Sequence, residues 1–252
     1  MAARSRRRPR LTVVYKESAL FSMARTKDRA RIERLLRDNN PAVARFEPAA
    51  RAHARTLDTV ARAIHAAGAV ARWIPRPKLA RRAQISGSDL VVTVGGDGTL
   101  LWTSHFVEKE PVLAVNSAPE DSVGFFAGAT ADNVAARIRA ALAGKLRVTE
   151  LWRMRASIGR RRLALRVLND ALFCHVNPAA TTRYLLRWRG HREEHRSSGL
   201  WVGPAAGSTA AVRSAGGKVL PIRSRVLQFV VREPYTPRGP ENLVRRGIIG
   251  AG

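Results

Sequence analysis

The sequence predicts an α/β N-terminal domain with a parallel sheet, followed by a mostly β C-terminal domain. Up to about residue 145, short apolar runs alternate with helical patterns, which is typical of a parallel sheet covered by helices. Beyond it, strand-like runs follow one another with turn signals between them. We therefore expect a basic tail at residues 1–10, an α/β domain at 11–145 that binds nucleotide phosphates, and a β-rich domain at 146–252.

The composition is that of a globular protein with an unusually basic balance. The chain has 252 residues, 45% of them apolar, and a net charge of +26. The arginines are spread along the chain without a base-reading motif, so we expect anionic substrates rather than nucleic acid. No apolar run approaches the ~18 residues of a membrane span, so no membrane association is expected. The single cysteine, Cys174, favours a reducing cytoplasm.

The elements of the first part follow from apolar periodicity. Runs rich in β-branched residues predict strands at 11–15, 70–74, 89–94 and 111–116. Apolar residues at helical spacing predict helices at 20–36, 49–67, 99–107 and 130–142. In the second of these helices, the predicted buried face contains Leu57, Val60, Ala61, Ile64 and His65.

In the second part, consecutive strands are predicted at 146–158, 163–176, 181–188, 196–202 and 226–231. A turn that opens a short helix is expected at 207–217. The match of residues 191–195 to a zinc-hydrolase spacing is not interpreted as a metal site, because the flanking residues predict a hairpin. The last twenty residues are rich in proline and glycine and predict a loop or loose tail.

The stretch 91–101 carries the clearest functional signal. An apolar strand passes into a turn in which glycines allow the backbone to approach a ligand, and a helix follows. Strand, glycine turn and helix N-terminus together favour a phosphate group. Asp97 would repel that phosphate unless it accepts a proton from an attacking hydroxyl or acts beside a divalent cation. We predict Asp97 as catalytic, and the phosphate-binding residues as Gly95, Gly96, Gly98 and Thr99.

Three further motifs accompany the glycine turn. They are Leu168-Asn169-Asp170, the segment Gly203-Pro204-Ala205-Ala206-Gly207-Ser208-Thr209-Ala210 with Ser214-Ala215-Gly216-Gly217, and Gly124-Phe125-Phe126. A polar pair such as Asn169-Asp170 is costly among apolar neighbours unless it has partners, which favours a binding role. In this order and spacing, the motifs resemble the NAD kinase family. The ends of the resemblance, at 13–16 and 228–234, are similar to its mitochondrial and plant NADH-kinase-like branch.

The resemblance implies an NAD-kinase-like fold and a phosphotransferase that uses ATP and NAD or NADH. The family transfers the γ-phosphoryl group of ATP to the 2′-hydroxyl of the adenosine ribose, giving NADP(H). By resemblance, Asp97 is the general base, Mg²⁺ accompanies ATP, and the protein is a homodimer or homotetramer. The resemblance also implies dinucleotide-binding residues, which are Asn169, Asp170, Ser208, Thr209, Ala210 and Phe125.

Two alternatives remain open at the level of sequence. The glycine turn is shared with lipid kinases of the diacylglycerol and sphingosine type. A catalytically impaired nucleotide-binding protein is the other alternative, because Asp170 stands where the family usually has glutamate and Ala211 where it commonly has tyrosine.

Overall fold

The computed structural model describes residues 7–18, 20, 29–235 and 244–250. The chain forms two compact units, Met1–Val148 and Thr149–Gly252. Most of the predicted basic tail, residues 1–6, lies outside the described residues, and so do residues 21–28 of the first predicted helix. No helix in the described ranges is long and apolar enough to cross a membrane.

The first unit contains the predicted parallel sheet. Its strands are β1 (Arg10–Tyr15), β2 (Val70–Pro75), β3 (Leu90–Gly95) and β4 (Val112–Asn116), in the order β2-β1-β3-β4. All three strand pairs are parallel. Every residue of β3 is buried, which explains why its sequence is a continuous apolar run rather than an alternating one.

Helices cover the sheet on both faces. They are α2 (Phe46–Ala66), α3 (Asp97–Ser104) and α4 (Val134–Leu142), whereas α1 (Arg29–Arg37) has no buried residue. Successive β1 residues point to opposite faces. Val13 joins a cluster with Val60 of α2 and Ile138 of α4, whereas Val14 packs in a second cluster with Ile74.

The structure corrects two helix predictions. In α2 the buried face includes His53 and Thr56, while Ala61 and His65 are exposed. His53 and Thr56 are tolerated inside because both form internal hydrogen bonds. Helix α3 begins at Asp97 rather than Thr99, because an aspartate in the first turn is favourable at the positive end of the helix dipole.

The second unit is built from antiparallel strands. They are β5 (Met154–Ile158), β6 (Arg161–Val167), β7 (Ala171–Phe173), β8 (Thr182–Trp188), β9 (His191–Ser197), β10 (Gly199–Pro204), β11 (Leu227–Arg232) and β12 (Arg246–Ile249). One sheet has the order β12-β11-β10-β7, and β5–β6 and β8–β9 form two hairpins. After β10, a 3-10 helix at Ala205–Thr209 leads into the short helix α5 (Ala211–Ser214).

Several predicted strand limits in this unit were wrong. The predicted strand 163–176 is divided into β6 and β7 by a bend at 168–170, and strand structure within 146–158 is confined to β5. The predicted strand 196–202 consists of the ends of β9 and β10. They meet at Gly199, whose φ of +119° is compatible with glycine alone. Strand β12 lies in the predicted tail, of which 236–243 and 251–252 are outside the described residues.

Candidate functional site

The glycine turn lies at the carboxyl edge of the parallel sheet, between β3 and α3. Gly95 pairs with Asn116 of β4, and the Gly95 carbonyl accepts a hydrogen bond of 3.3 Å from the Ser117 N–H. In the strand order β2-β1-β3-β4, the connections run to opposite sides of β1, so the order reverses between β1 and β3. Open α/β sheets bind ligands outside the strand ends at such a point.

The three glycines of the turn have different surroundings. Gly95 has a φ of +155°, and a Cβ added there would lie 2.5 Å from the Thr99 Oγ1 atom. A Cβ on Gly96 would lie 2.7 Å from the Ser122 Oγ atom. A Cβ on Gly98 would meet nothing closer than the Arg76 Nη1 atom at 3.6 Å. An added Cβ is therefore strained at Gly95 and would displace the Ser122 hydroxyl at Gly96, whereas at Gly98 it would make only an ordinary van der Waals contact with Arg76.

The Asp97 carboxylate is held by the loop that follows β4. The Phe125 N–H donates to Oδ2 at 2.8 Å, and the Phe126 N–H donates to Oδ1 at 3.0 Å. These bonds fix the orientation of the carboxylate while each oxygen keeps capacity for a further donor. The predicted site residue Phe125 is thereby brought beside Asp97, with its side chain 48% exposed.

Two cationic residues that the sequence analysis did not select lie beside the glycine turn. Lys16 follows β1, its N–H donates to the Val94 carbonyl, and its Cβ is 3.4 Å from where a Gly95 Cβ would be. Arg76 follows β2 and approaches Gly98. Burial lowers the pKa of Lys16; the Asp121 carboxylate raises it and the Arg76 charge lowers it. Lys16 directly follows a predicted strand and Arg76 lies two residues after the end of another, which is the signal that could have identified them.

His53 of α2 connects the ends of β1 and β4. Its Nε2 atom lies 2.8 Å from the Lys16 carbonyl oxygen, and its Nδ1 atom lies 2.8 Å from the Ser117 Oγ atom. Since a carbonyl can only accept, Nε2 carries the proton and Nδ1 accepts from the serine hydroxyl. Burial lowers the pKa of His53 to about 4, so the ring is neutral near pH 7. His53 therefore fixes the backbone on both sides of the glycine turn.

In the second unit, Asn169 and Asp170 occupy the bend between β6 and β7. They were expected within a strand, whose alternation would direct them to opposite faces; the bend removes that constraint. The Asn169 Oδ1 and Asp170 Oδ2 atoms are buried and have no hydrogen-bond partner among the described residues. Burial raises the pKa of Asp170, while a hydrogen bond from the Ala211 N–H works in the opposite direction.

The glycine-containing segment after β10 packs directly on this bend. A Cβ on Gly203 would lie 2.6 Å from the Asn169 carbonyl oxygen, and a Cβ on Gly207 would overlap the Asn169 backbone. Both glycines thus permit a close approach that no other residue allows. The fold thus brings together two motifs separated by more than thirty residues. Two acceptor atoms of the first motif, Asn169 Oδ1 and Asp170 Oδ2, have no hydrogen-bond partner among the described residues.

The remaining predicted residues have different environments. Ser208 is buried, and its hydroxyl donates to the Ala205 carbonyl at 2.7 Å and accepts from the Leu220 N–H at 2.9 Å. Its hydroxyl is therefore engaged within the unit. Thr209 and Ala210 are partly buried at the end of the same segment. Their roles in ligand binding, like that of Ser208, stay predictions.

Comparisons with known proteins agree with these motifs. Residues 26–146 match the ATP-NAD kinase N-terminal domain. The chain is 38% identical over 202 residues to a probable NADH kinase of Oryza sativa subsp. japonica, which covers 71% of this chain and 62% of the rice protein. It is 36% identical over 204 residues to the NADH kinase of Arabidopsis thaliana, which covers 68% of this chain and 62% of that protein. The chain therefore spans less than two thirds of these plant relatives.

Solved structures show the same fold. The chain superposes on an NAD kinase from Archaeoglobus fulgidus in complex with ATP with a TM-score of 0.60 and 18% identity, covering 96% of this chain and 77% of that one. For yeast NADH kinase complexed with NADH, the TM-score is 0.57 at 15% identity, with 97% and 70% covered. The matched N-terminal domain, the relatives and the fold together support the NAD kinase family for this chain.

Proposed function

We propose that the protein is an NAD(H) kinase, which transfers the γ-phosphoryl group of ATP to the 2′-hydroxyl of the adenosine ribose of NAD or NADH. The family and the curated relatives support this reaction. The structural observation that carries the proposal is the pair of buried acceptor atoms, Asn169 Oδ1 and Asp170 Oδ2, for which the described chain provides no donor.

Unpaired buried acceptors are costly in a folded protein, so a ligand that donates hydrogen bonds stabilises them. The hydroxyl groups of a ribose are donors of this kind, and a carboxylate can accept from them. Aspartate reaches one methylene less far than glutamate. The close packing of Gly203 and Gly207 on Asn169 sets how far the bend protrudes, and we propose that it compensates for the shorter side chain. Thr209 and Ala210 of the same unit are proposed to contact the dinucleotide, and so is Phe125 of the first unit.

The chemical role of Asp97 follows from its fixed carboxylate. A ribose hydroxyl is a weak nucleophile near neutral pH, and a positioned carboxylate assists by accepting its proton. The ribose O2′ forms a bond to the γ-phosphorus, the bond from that phosphorus to the bridging oxygen breaks, and ADP leaves. The proton passes from O2′ to Asp97 and then to solvent. Gly95, Gly96, Gly98 and Thr99 form the turn against which we propose the nucleotide phosphates lie.

A divalent cation is proposed to enter with the nucleotide as the Mg²⁺–ATP complex. The described residues contain no group of three or more His, Cys, Asp or Glu side chains arranged to hold a metal ion. Mg²⁺ commonly binds through substrate phosphates and only one or two carboxylates. Asp97 is the carboxylate at the turn that fits this arrangement, and the cation would neutralise part of the phosphate charge.

The direct test is turnover by the purified protein with ATP or polyphosphate as donor and NAD or NADH as acceptor. We expect NADP(H) formation, and a fall in kcat of about 10²- to 10⁴-fold in Asp97→Asn because the proton acceptor is lost. Asp132→Asn is the matched control, since it removes an exposed aspartate of the same unit. Thermal unfolding of Asp97→Asn checks that the loop at 125–126 remains in place.

Two results would contradict the proposal. One is the absence of NADP(H) formation by a folded wild-type protein with every donor and both acceptors. The other is phosphorylation of a diacylglycerol or sphingoid lipid in place of the dinucleotide, which would favour the lipid kinase alternative.

We also propose a cytoplasmic location and a homodimer or homotetramer. The location is supported by a composition with a single cysteine, Cys174, and the assembly by family resemblance alone. Light scattering of the purified protein and microscopy of a tagged chain in its own host test the two statements separately.

A further inference from the structure

Two positively charged residues, Lys16 and Arg76, lie beside the glycine turn, and the carboxylate whose charge acts on Lys16 is that of Asp121. Lys16 and Arg76 follow neighbouring parallel strands, and β1 and β2 place Tyr15 opposite Pro75. Neither cation forms an ion pair with an acidic side chain in the part of the chain that the structure describes. Like charges at close range destabilise a fold, so this convergence favours an anion that lies between them.

The two cations approach the turn from its open side. Arg76 Nη1 is the nearest atom to the space beside Gly98, and Lys16 lies against Gly95. Lys16 also lines a cavity of about 200 Å³ together with Ser18, Arg45 and Asp121. Ser122 closes the turn at Gly96, so an anion that contacts the turn must do so near Gly98, within reach of the arginine.

The position of Lys16 is fixed by the fold. Its backbone N–H is bonded to β3 at 3.0 Å and its carbonyl oxygen to His53 at 2.8 Å. The side chain is half-buried, and burial lowers the pKa of its ammonium group. A desolvated ammonium group gains more from a phosphate than an exposed one does, because the interaction is less screened.

We propose that Lys16 and Arg76 form the binding site for the terminal phosphates of the phosphoryl donor. The proposal rests on the proposed kinase function and assigns within it the residues that neutralise the donor. Phosphoryl transfer depends mainly on positioning and on neutralising charge, which two cations at the turn supply. Arginine offers a planar fork for two phosphate oxygens, and lysine acts as a point charge.

Asp121 competes with the donor in this arrangement. Its carboxylate lines the same cavity as Lys16 and is the negative charge that acts on it. An incoming phosphate must therefore replace the Asp121 carboxylate as the counter-charge of Lys16. The phosphate and this carboxylate are both negative and repel each other. Removal of this carboxylate should improve donor binding, an effect that a purely structural role of Lys16 would not produce.

The experiment compares steady-state kinetics of Lys16→Met and Arg76→Met with the wild-type protein. We expect the KM for ATP to rise about ten- to a hundredfold in each variant, as for loss of a charged hydrogen bond. The KM for NAD should change less than about twofold. Lys16→Arg keeps the charge and should retain most of the ATP affinity. Lys145→Met and Arg55→Met, which remove exposed cations elsewhere in the same unit, are the matched controls.

Asp121→Asn should lower the KM for ATP by about two- to fivefold, whereas Glu120→Gln, its exposed neighbour, should not. Unchanged ATP constants in Lys16→Met and Arg76→Met would overturn the proposal, and so would an increase in the KM for ATP in Asp121→Asn.

A second readout is independent of turnover. Tripolyphosphate should raise the Tm of the wild-type protein, and this shift should be lost in both methionine variants while the Tm without ligand is retained. An equal shift in all proteins would overturn the phosphate site. If the wild-type protein lacks kinase activity but tripolyphosphate stabilises it through Lys16 and Arg76, the proposed function fails while the phosphate site is supported.

Discussion

Acid should destabilise the N-terminal unit through His53. Burial holds the pKa of this ring at about 4 in the folded protein, against 6.5 for an ordinary histidine. The unfolded chain therefore binds the proton first as the pH falls. The stability contributed by the neutral ring is complete above pH 6.5 and is lost progressively as the pH falls toward 4.

The size of this effect follows from the two pKa values. The difference between 6.5 and about 4 corresponds to about 3 kcal/mol of unfolding free energy. By pH 5, about 2 kcal/mol of it should be gone, since the unfolded ring is almost fully protonated there. A marginally stable unit of 5–15 kcal/mol would show this loss clearly.

The assay is urea unfolding of wild type and His53→Gln at pH 7.5 and pH 5. Glutamine can donate to the Lys16 carbonyl and accept from Ser117, yet it does not titrate. The variant should lose about 2 kcal/mol less than wild type between the two pH values. His65→Gln, an exposed histidine of the same helix, should follow wild type. An identical loss in wild type and His53→Gln would refute the reasoning.

Two further predictions concern the glycine turn and the bend at Asn169-Asp170. Gly95→Ala should destabilise the protein by about 1–3 kcal/mol, because φ is +155° and Thr99 blocks the added Cβ. Gly98→Ala should keep or raise the Tm, since Gly98 is helical and the added Cβ would make only an ordinary van der Waals contact, yet it should weaken ATP binding; equal losses of stability in both variants would contradict the distinction. Asp170→Asn should raise the KM for NAD about tenfold with an unchanged KM for ATP. It should also raise the urea midpoint at pH 7, because burial disfavours the charged Asp170; a lowered midpoint would show that the charge stabilises the fold.

Much of the first unit could be predicted because its central strands, β1 and β3, are buried on both faces. A strand such as β3 is apolar at nearly every position, and the glycine turn marks where the strand ends. The second unit was harder to predict because its elements depend on distant contacts. Glycines more than thirty residues away pack on the bend at Asn169, and the turn residues Asn169 and Asp170 were interpreted as a binding pair within a strand. Strand β12 forms by pairing with β11, although only two of its four residues, Ile248 and Ile249, favour a strand.

The residues of the candidate site that form one contiguous motif could be predicted from the sequence. Those that lie far apart in the sequence, and that only the fold brings together, could not. Gly95 to Thr99 are identified by their order in the chain. Lys16, Arg76 and His53 reach the same place only because β1 and β2 lie beside β3 and α2 packs over them. The helical pattern even favoured His65 over His53, because a histidine with two internal partners has no apolar signature.

The glycines of the turn also show why a motif does not reveal the role of its members. Gly95 and Gly96 face side chains of their own unit, Thr99 and Ser122, so packing alone requires them. Gly98 is required by nothing in the described chain, since alanine would fit and would favour the helix. A residue that costs helix stability without a structural reason indicates space kept for a ligand. Arg76 is the nearest charged group to that space, and it has no ion pair among the described residues, which links this arginine to the one glycine of the turn that packing leaves unexplained.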